Sequence, residues 1–373
     1  MPKHAFLSAS ASHRWIECPP SAMACAGVEE RASPYAQQGT DAHALCEYKL
    51  ENALGRSPND PTEDLAYFDS EMDDCSDEYC TFVMEQVEEA KKFCADPLVL
   101  VEEHLDFSRW VPDGFGTGDC VIVADHVLHI VDMKYGSGIE VESEGNSQMQ
   151  CYALGALDTY DGIYNIQEIK MTIFQPRRNN VSTAVISKTD LLAWAENILA
   201  PTAKLASEGK GEFKAGDHCQ FCRIKASCRK RAEYNLEMAK YDFAVPDTLE
   251  TAEIAVILPR IDDFISWAND IKNYALQQAL SGVKYDGYKI VEGKSNRKFT
   301  DEDAVASVVQ NAGYDPYERK LLGITALTSL LGKKKFDKLL GGLIMKPPGK
   351  PALVSDKDKR PAFNTAIDDF KEN

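Results

Sequence analysis

The sequence predicts a mixed α/β fold around one β-sheet, followed by a mostly helical C-terminal region. Three observations support this prediction. Between about residues 78 and 175 the predicted elements run helix, three strands, helix, strand, which differs from the regular alternation of a doubly wound sheet. Only residues 125 and 126 separate two of the strands, as is typical of a tight hairpin. After about residue 233 the apolar residues recur with a helical period.

The bulk properties describe a packed protein without a membrane span. The chain has 373 residues, enough for a large domain over residues 1–235 and a smaller one over 236–373. It has no apolar run long enough to cross a membrane and no apolar secretory segment at its start. We therefore expect a cytoplasmic protein with no membrane partner. Its 11 cysteines then favour metal binding or reduced thiols over disulfides.

The charge is acidic on average but uneven along the chain. The net charge of −18 argues against a general nucleic-acid coat. Acidic residues concentrate between residues 59 and 106, whereas basic clusters occur at Arg177 and Arg178, in residues 223–231 and in residues 333–335. Each cluster alone is more often a solvated face than a binding site. An acidic average with basic patches nevertheless permits a DNA partner.

Each element is predicted from its period and from the residues at its ends. The predicted strands cover residues 98–107, 118–124, 127–134, 169–175 and 181–187. The predicted helices cover residues 8–17, 40–54, 78–95, 147–160, 189–207, 261–281, 301–312 and 326–343. Thr40 stands where a helix cap is expected, Gly282 follows a helix, and Pro176 stops a strand. We expect residues 56–80 to leave the core and residues 284–299 to form a short hairpin.

The hairpin within residues 118–134 brings two aspartates together. With the turn at residues 125 and 126, paired residues have numbers that sum to 251, so Asp119 faces Asp132. Lys134 follows Asp132 by two residues and therefore shares its face. Opposed carboxylates destabilise a sheet unless a cation lies between them, and Mg²⁺ prefers such oxygen ligands. The residues therefore predict a phosphodiesterase site, although Asp-x-Lys alone more often marks two exposed strand ends.

A second group of candidate ligands is the segment HCQFCRIKASC, residues 218–228. It places Cys219, Cys222 and Cys228 at the spacing C-x2-C-x5-C. A tetrahedral thiolate site needs four ligands, and this segment supplies three. From the residues alone, His218 completes a zinc site as readily as a distant cysteine does.

Taken together, these residues resemble the PD-(D/E)XK nuclease superfamily, and in particular its RecB-like branch. The resemblance covers about residues 5–235 and implies a restriction-endonuclease-like core, αβββαβ, with a mixed sheet. The positions that carry it are Gly118-Asp119, Asp132-Met133-Lys134, Gln148 and Tyr152 as Q-x-x-x-Y on the next helix, and His43 in GTDAHALCE. Asp132 stands where the branch often has glutamate.

The resemblance implies a role for each of these positions. His43 and Asp119 would bind Mg²⁺ or Mn²⁺, with Asp132 as the second acid and the Met133 carbonyl beside it. Lys134 would be the catalytic lysine, and Gln148 and Tyr152 would face the site and its substrate from one side of their helix. Glu102 and Glu103 are candidates for an extra acid, but an exposed strand face explains them better.

A subset of the superfamily, the AddB-type helicase–nucleases and a CRISPR adaptation nuclease, carries an iron–sulfur cluster. One cysteine precedes the nuclease core there and three follow it. By this resemblance Cys18 would join Cys219, Cys222 and Cys228 around a [4Fe–4S] cluster, with Zn²⁺ as the alternative. The cluster would attach the N-terminal helix to the end of the core. The other seven cysteines, Cys25 among them, are interpreted as small buried side chains.

The function implied by the resemblance is a metal-dependent DNA nuclease, and specifically an exonuclease. The whole chain also resembles a family of phage and prophage proteins found among replication and recombination functions. That context implies a bacterial host cytoplasm and a single-strand annealing or single-strand binding protein as a partner. We expect DNA-backbone contacts that weaken with salt from the basic residues Arg223, Lys225, Arg229, Lys230 and Arg231. Two rivals are a non-catalytic, zinc-stabilised binding module for DNA or protein and a phosphohydrolase of small nucleotides.

Overall fold

The computed structural model describes residues 5–28, 34–92, 94–237, 249–292, 299–317 and 321–345. The chain divides into two compact units. One comprises Met1–Lys240 and Trp267–Ile271, and the other comprises Tyr241–Ser266 and Lys272–Asn373. Within the described ranges, no helix combines the length and the apolar character that crossing a membrane requires.

The first unit is built around one five-stranded sheet. Its strands are β1 (Leu98–Asp106), β2 (Phe115–Ala124), β3 (Val127–Met133), β4 (Glu168–Gln175) and β5 (Asn180–Ser187). They lie side by side in chain order. All neighbours are antiparallel except β3 and β4, which are parallel. This sheet confirms the prediction of a mixed α/β fold.

Helices of the first unit precede, cross over and follow the sheet. They are α1 (Ser12–Glu17), α2 (Ser21–Ala26), α3 (Pro34–Ala53), α4 (Ser70–Ala90), α5 (Ser147–Tyr160), α6 (Lys188–Trp194), α7 (Ala200–Ser207) and α8 (Arg229–Leu236). The crossover between the parallel strands β3 and β4 is made by α5, as such a connection requires.

The hairpin register is the one predicted from the sequence. Ala124 pairs with Val127 and Cys120 pairs with Val131, so paired residue numbers sum to 251. His126 takes the left-handed conformation in the turn, with φ of 72°. Because a slip of one residue would move every side chain to the other face, this register fixes which face Asp119 and Asp132 share.

Two apolar clusters cover the two faces of the sheet. One includes Val121 and Val123 of β2 and packs against Leu154 of α5. The other includes Cys120 and Ile122 of β2, with residues of α3 and α4 such as Leu45. Successive side chains of β2 therefore pack into the apolar clusters on opposite faces of the sheet. Burial on both faces stabilises the position of the strand that carries Asp119.

Several helices begin or end away from their predicted positions. α3 begins at Pro34 and not at Thr40, because proline suits the first turn of a helix. Thr40 therefore lies inside the helix, where its hydroxyl donates to the Ala36 carbonyl. α4 begins at Ser70, where the Asp69 side chain caps it by accepting from Met72 N at 2.8 Å. Part of the segment predicted to leave the core is thus helical.

The predicted helix over residues 189–207 is helical throughout but irregular. A π-helical turn, Ala195–Leu199, separates α6 from α7. Pro201 stands at the start of α7 and has no N–H to donate to a carbonyl in the preceding turn. Pro201 therefore accounts for the π-helical turn that precedes it.

The second unit contains most of α9 (Thr251–Leu280), together with α10 (Glu302–Asn311), α11 (Ile324–Leu331) and α12 (Lys333–Leu340). α9 begins well before the predicted residue 261 and accommodates Pro259 within it. The helix predicted over residues 326–343 is interrupted at Gly332, which has φ of 72°. Residues 284–292 contain no strand, and the rest of the predicted hairpin up to residue 298 lies outside the described residues.

Two helical glycines provide a test of the packing of α5 against β1. A Cβ at Gly155 would lie 3.0 Å from the Leu105 carbonyl carbon, whereas a Cβ at Gly39 in α3 would meet nothing within 4 Å. Gly39→Ala should raise the free energy of unfolding by about 0.5–1 kcal/mol, because alanine has the higher helix propensity. Gly155→Ala should lower it by about 1–3 kcal/mol, because the backbone of β1 must move. Urea unfolding of both variants checks the prediction, and a stabilised Gly155→Ala variant would contradict the close packing.

Candidate active site

Three side chains converge near the middle of β2, next to Cys120, where the pairing of β2 with β3 ends, in an arrangement that suits a metal ion. They are His43 from α3, Glu102 from β1 and Asp119 from β2, and their ligand atoms all lie within 4.8 Å of one another. His43 Nδ1 is 3.3 Å from Asp119 Oδ1. The resemblance grouped His43 with Asp119, and the structure brings these two side chains together and adds Glu102.

Glu102 differs from the exposed strand residue that the sequence suggested. The β1–β2 register, with Val101 opposite Cys120 and Glu103 opposite Gly118, sets Glu102 across from Asp119. Its backbone has φ of 50°, a left-handed conformation that is unfavourable for a glutamate within a strand. Such backbone strain is concentrated at functional sites. The alternation of residues in β1 gave no signal of this local distortion.

A second network lies beside the first and contains the predicted catalytic residues. Lys134 Nζ is 2.9 Å from Asp132 Oδ2. It also donates to Gln148 Oε1 at 3.2 Å. Gln148 Nε2 donates to Asp132 Oδ1 at 3.2 Å and to the Tyr152 hydroxyl at 3.1 Å. The structure therefore brings these four predicted residues together.

The start of α5 positions Gln148 in this network. The Asn146 side chain caps the helix by accepting from the backbone N–H groups of Gln148 and Met149. Tyr152 lies one turn further along and packs over Gly116, where a Cβ would come within 2.6 Å of the tyrosine ring. The glycine of β2 thus provides the space that the tyrosine needs.

The two networks are joined by a bond between backbone and side chain. Met133 N donates to Asp119 Oδ2 at 2.6 Å, which links the end of β3 to the second strand. In addition, Lys134 N donates to the Phe174 carbonyl of β4 at 2.9 Å. Met133 therefore lies beside the site as the sequence predicted. The role of its carbonyl as a metal ligand stays a prediction.

Charge interactions at the site shift the protonation of its members strongly. The Asp119 carboxylate raises the pKa of His43 to about 9, against the opposing effect of burial. Burial raises the pKa of Asp119, but the charge and hydrogen bond of His43, together with the Lys134 charge and the Met133 N–H, outweigh burial, so the pKa falls below its ordinary value. Burial, followed by the Asp119 charge, raises the pKa of Glu102 to about 7. These shifts are those expected where carboxylates crowd a partly buried site.

Asp132 and Lys134 show the same balance of charge and burial. Burial raises the pKa of Asp132, with the Asp119 charge adding to the effect. Burial lowers the pKa of Lys134, but the carboxylates of Asp132 and Asp119 outweigh it, so the pKa lies above its ordinary value. Lys134 is therefore held in its charged form beside the two acids.

The donor set suits a divalent cation. Carboxylate oxygens are typical ligands of Mg²⁺ and Mn²⁺, whereas an imidazole nitrogen also suits metals such as Zn²⁺. Asp132 Oδ2 is buried and lies 2.9 Å from the Lys134 ammonium, so a bound cation would share this oxygen with Lys134. Asp132 is next to the His43–Glu102–Asp119 group, but its carboxylate oxygens do not lie within 4.8 Å of the ligand atoms of all three residues.

Two of the predicted thiol ligands, Cys18 and Cys219, meet at Lys214. Cys18 follows α1 and is buried, and its sulfur accepts from Lys214 N at 3.4 Å. The Lys214 carbonyl is 3.0 Å from His218 Nε2 and 4.0 Å from Cys219 Sγ. The N-terminal cysteine is thus adjacent to the C-x2-C segment in space, as the resemblance implied.

A further cysteine belongs to this neighbourhood, although the sequence analysis assigned it only to packing. Cys25 Sγ in α2 is 3.7 Å from Cys222 Sγ. Around one zinc ion, sulfur atoms lie about 3.8 Å apart, given Zn–S distances of about 2.3 Å. In the described ranges, no three of the thiols lie within 4.8 Å of one another. The distance between Cys25 and Cys222 is compatible with a shared metal ion, which makes Cys25 a further candidate ligand.

The basic residues predicted to contact DNA have different environments. Arg231 departs from the prediction, because it is 1% exposed and pairs with Asp270 at 2.7 Å inside the protein. Lys225 also pairs with Asp270, at 3.0 Å, and is half-buried. Arg223, Arg229 and Lys230 are exposed, and Lys230 lies 3.6 Å from Glu233.

The added acid can be tested with its neighbour in sequence as a matched control. Glu102→Gln should weaken Mn²⁺ binding by roughly tenfold or more, because it removes a carboxylate charge from the ligand group. Glu103→Gln should leave Mn²⁺ affinity unchanged, because Glu103 accepts instead from the Tyr160 hydroxyl at 3.0 Å. Isothermal titration calorimetry measures both affinities, and equal affinities for the two variants would exclude Glu102 as a ligand.

Comparison with known proteins gives a family but no activity. A solved structure titled "Crystal structure of SSO0001" matches 52% of this chain and 98% of its own, with 12% sequence identity and a TM-score of 0.22. At that score the likeness carries no argument. A family model described as "Protein of unknown function (DUF2800)" matches residues 4–361, nearly the whole sequence. The chain therefore belongs to the DUF2800 family.

Proposed function

We propose that this protein is a metal-dependent DNA nuclease that hydrolyses phosphodiester bonds, and specifically an exonuclease. The observation that carries the proposal is the placement of Lys134, Asp132 and Gln148 directly beside the His43–Glu102–Asp119 group. A cation site next to a charged lysine is the arrangement that phosphodiester hydrolysis needs. The likeness of these residues to the RecB-like branch supports the same conclusion.

The bound cation would polarise a phosphate oxygen and lower the pKa of a water molecule, which supplies the nucleophile. His43, Glu102 and Asp119 would hold the cation, with Asp132 beside them. His43 must lose its proton to become a ligand, so cation binding competes with protonation at a group whose pKa is raised to about 9.

Lys134 would act on the phosphate through its charge. Its raised pKa keeps the ammonium group protonated, so it can donate hydrogen bonds but cannot serve as a base. Hydrolysis adds negative charge to the phosphate oxygens as water attacks and the bond to the leaving oxygen breaks. An ammonium group already fixed beside Asp132 offsets that charge without having to move.

Gln148 and Tyr152 would position the lysine and the second acid. The amide of Gln148 bonds to Lys134 through its oxygen and to Asp132 through its nitrogen, which sets the distance between them. The Tyr152 hydroxyl accepts from the same amide nitrogen and is itself largely buried. The pair would therefore keep the charged groups aligned before substrate arrives.

For the cysteine region we propose a [4Fe–4S] cluster held by Cys18, Cys219, Cys222 and Cys228, with a structural role. The position of Cys18 beside the C-x2-C segment supports it, because its sulfur accepts from Lys214 N and the Lys214 carbonyl contacts Cys219 Sγ. Four thiolates suit a [4Fe–4S] cluster, with Zn²⁺ as the alternative. Closing the long loop between Cys18 and Cys219 would also favour the folded chain.

DNA would approach through the exposed basic residues of the cysteine segment. Arg223, Arg229 and Lys230 remain candidates for phosphate contacts, while Lys225 and Arg231 chiefly bind Asp270. In the recombination setting implied by the resemblance, a single-strand annealing or single-strand binding protein would supply or receive the DNA.

The catalytic role of Lys134 is tested with a lysine on the neighbouring strand as the control. Lys134→Ala should reduce Mn²⁺-dependent cleavage of end-labelled DNA by about 100-fold or more, because it removes the fixed positive charge. Lys170→Ala should cleave normally, because Lys170 of β4 bonds to Gln86 and takes no part in the site. Mn²⁺ binding by Lys134→Ala confirms that the ligands persist. Normal cleavage by this variant, or none by the wild type, would reject the proposed function.

The metal of the thiol centre is tested by anaerobic purification. The wild-type protein should be brown and contain iron and sulfide in the ratio of a [4Fe–4S] cluster. Cys18→Ser and Cys228→Ser should each lose most of the iron and the visible absorption, because each removes one of four ligands. Cys94→Ser, a half-buried cysteine outside the centre, is the control and should keep both. A colourless protein with one bound zinc ion would identify the alternative metal.

A further inference from the structure

The cysteine segment exposes an aromatic ring between two buried ligand positions. Phe221 is 72% exposed, whereas Cys219 and Cys222 on either side are 6% and 7% exposed. Single exposed apolar side chains are common on protein surfaces, so exposure alone assigns no role. The rigidity and the charge of the surroundings distinguish this one.

The backbone under Phe221 is held on both sides. Cys222 N donates to the Cys219 carbonyl at 3.1 Å, and Lys225 N donates to the Cys222 carbonyl at 3.1 Å. Lys225 Nζ bonds to the Gln220 carbonyl at 3.1 Å, and the Cys222 sulfur contacts Cys25 of α2. The ring is therefore presented from a formed turn, and little conformational freedom remains to be lost when a ligand binds it.

The segment that carries the ring is basic in a chain whose net charge is −18. Residues 218–231 contain no acidic side chain. Two of their basic residues pair with Asp270. Arg223 and Arg229 are exposed near the aromatic position in sequence, and one guanidinium nitrogen of Arg223 donates to the Val28 carbonyl at 3.2 Å. Basic residues interleaved with an exposed aromatic ring are the pattern that binds single-stranded nucleic acid, with bases stacked on the ring and phosphates on the cations.

We infer that Phe221 stacks on an unpaired base of single-stranded DNA, with Arg223 and Arg229 contacting the adjoining phosphates. The inference rests on the proposed nuclease function and extends it by assigning a strand preference. A duplex keeps its bases stacked on one another, so the ring gains a partner only where the strand is unpaired. Binding of single strands therefore depends on Phe221, and binding of duplex depends on the basic side chains alone.

Binding is measured on the full chain by fluorescence anisotropy, without added divalent metal so that no strand is cut. The probes are a labelled oligothymidine and a labelled duplex. Phe221→Ala should weaken oligothymidine binding by about tenfold and change duplex binding by less than about twofold. Phe221→Trp should restore the single-strand affinity, because any flat aromatic face stacks on a base.

The matched control is Phe68→Ala. Phe68 is also exposed, at 42%, but it lies among Glu63, Asp64, Asp69 and Glu71. Its removal should leave both affinities unchanged, since the acidic surroundings repel a phosphate backbone. Iron or zinc content is measured in every variant, because an aromatic ring beside a thiol centre can also shield it from solvent.

Three outcomes overturn the inference. In the first, Phe221→Ala binds oligothymidine as tightly as the wild type does. In the second, Phe221→Ala loses affinity for oligothymidine and for the duplex equally. In the third, the affinity of Phe221→Ala for oligothymidine falls together with its content of bound metal. Failure of the nuclease proposal is a separate result. In that case the wild type cleaves no DNA, whereas failure of this inference alone leaves cleavage by the wild type intact.

Discussion

Repulsion between carboxylates carried by the adjacent strands β1, β2 and β3 is the constraint on which the site depends. Glu102, Asp119 and Asp132 lie in one neighbourhood, where partial burial strengthens their interaction. In the folded chain, protonated His43 and the Lys134 ammonium offset the negative charge of these carboxylates. His43 contributes stability that is fully present below its unfolded pKa of about 6.5 and is lost as pH rises through about 9. When His43 loses its proton, the carboxylates carry an excess of negative charge, and a divalent cation can replace the lost positive charge.

The sheet allows this concentration of charge because each acid is anchored by apolar neighbours. Val121 and Val123 follow Asp119 on one face of β2, and Cys120 and Ile122 pack on the other. The strand cannot slide or rotate to separate the carboxylates without exposing both cores. The two helical layers then supply different components: α3 brings His43 to the acids, and α5 brings Gln148 and Tyr152. The geometry of the site is therefore a consequence of burial elsewhere in the unit.

The sequence could predict what depends on period and register. The two-residue turn and the strict alternation of β2 and β3 placed Asp119 opposite Asp132, and the spacing of four residues placed Gln148 and Tyr152 on one helix face. It could not predict the left-handed backbone of Glu102, because nothing in the local sequence demands it. Nor could it place Arg231, whose partner Asp270 is remote in the chain. Predictions failed where tertiary contacts, and not local pattern, decide the environment of a residue.

One short helix connects the thiol region to the proposed catalytic residues. Cys18 follows α1 directly, and the first residue of that helix, Ser12, is buried and bonds to Ser147 with 2.6 Å between the hydroxyl oxygens. Ser147 is the first residue of α5, immediately before Gln148. Because α1 is a short, rigid element, a shift of Cys18 would be transmitted to the end of α5 that aligns Lys134 and Asp132. The N-terminal cysteine and the residues around Asp132, widely separated in sequence, are thus connected through one short helix and one hydrogen bond.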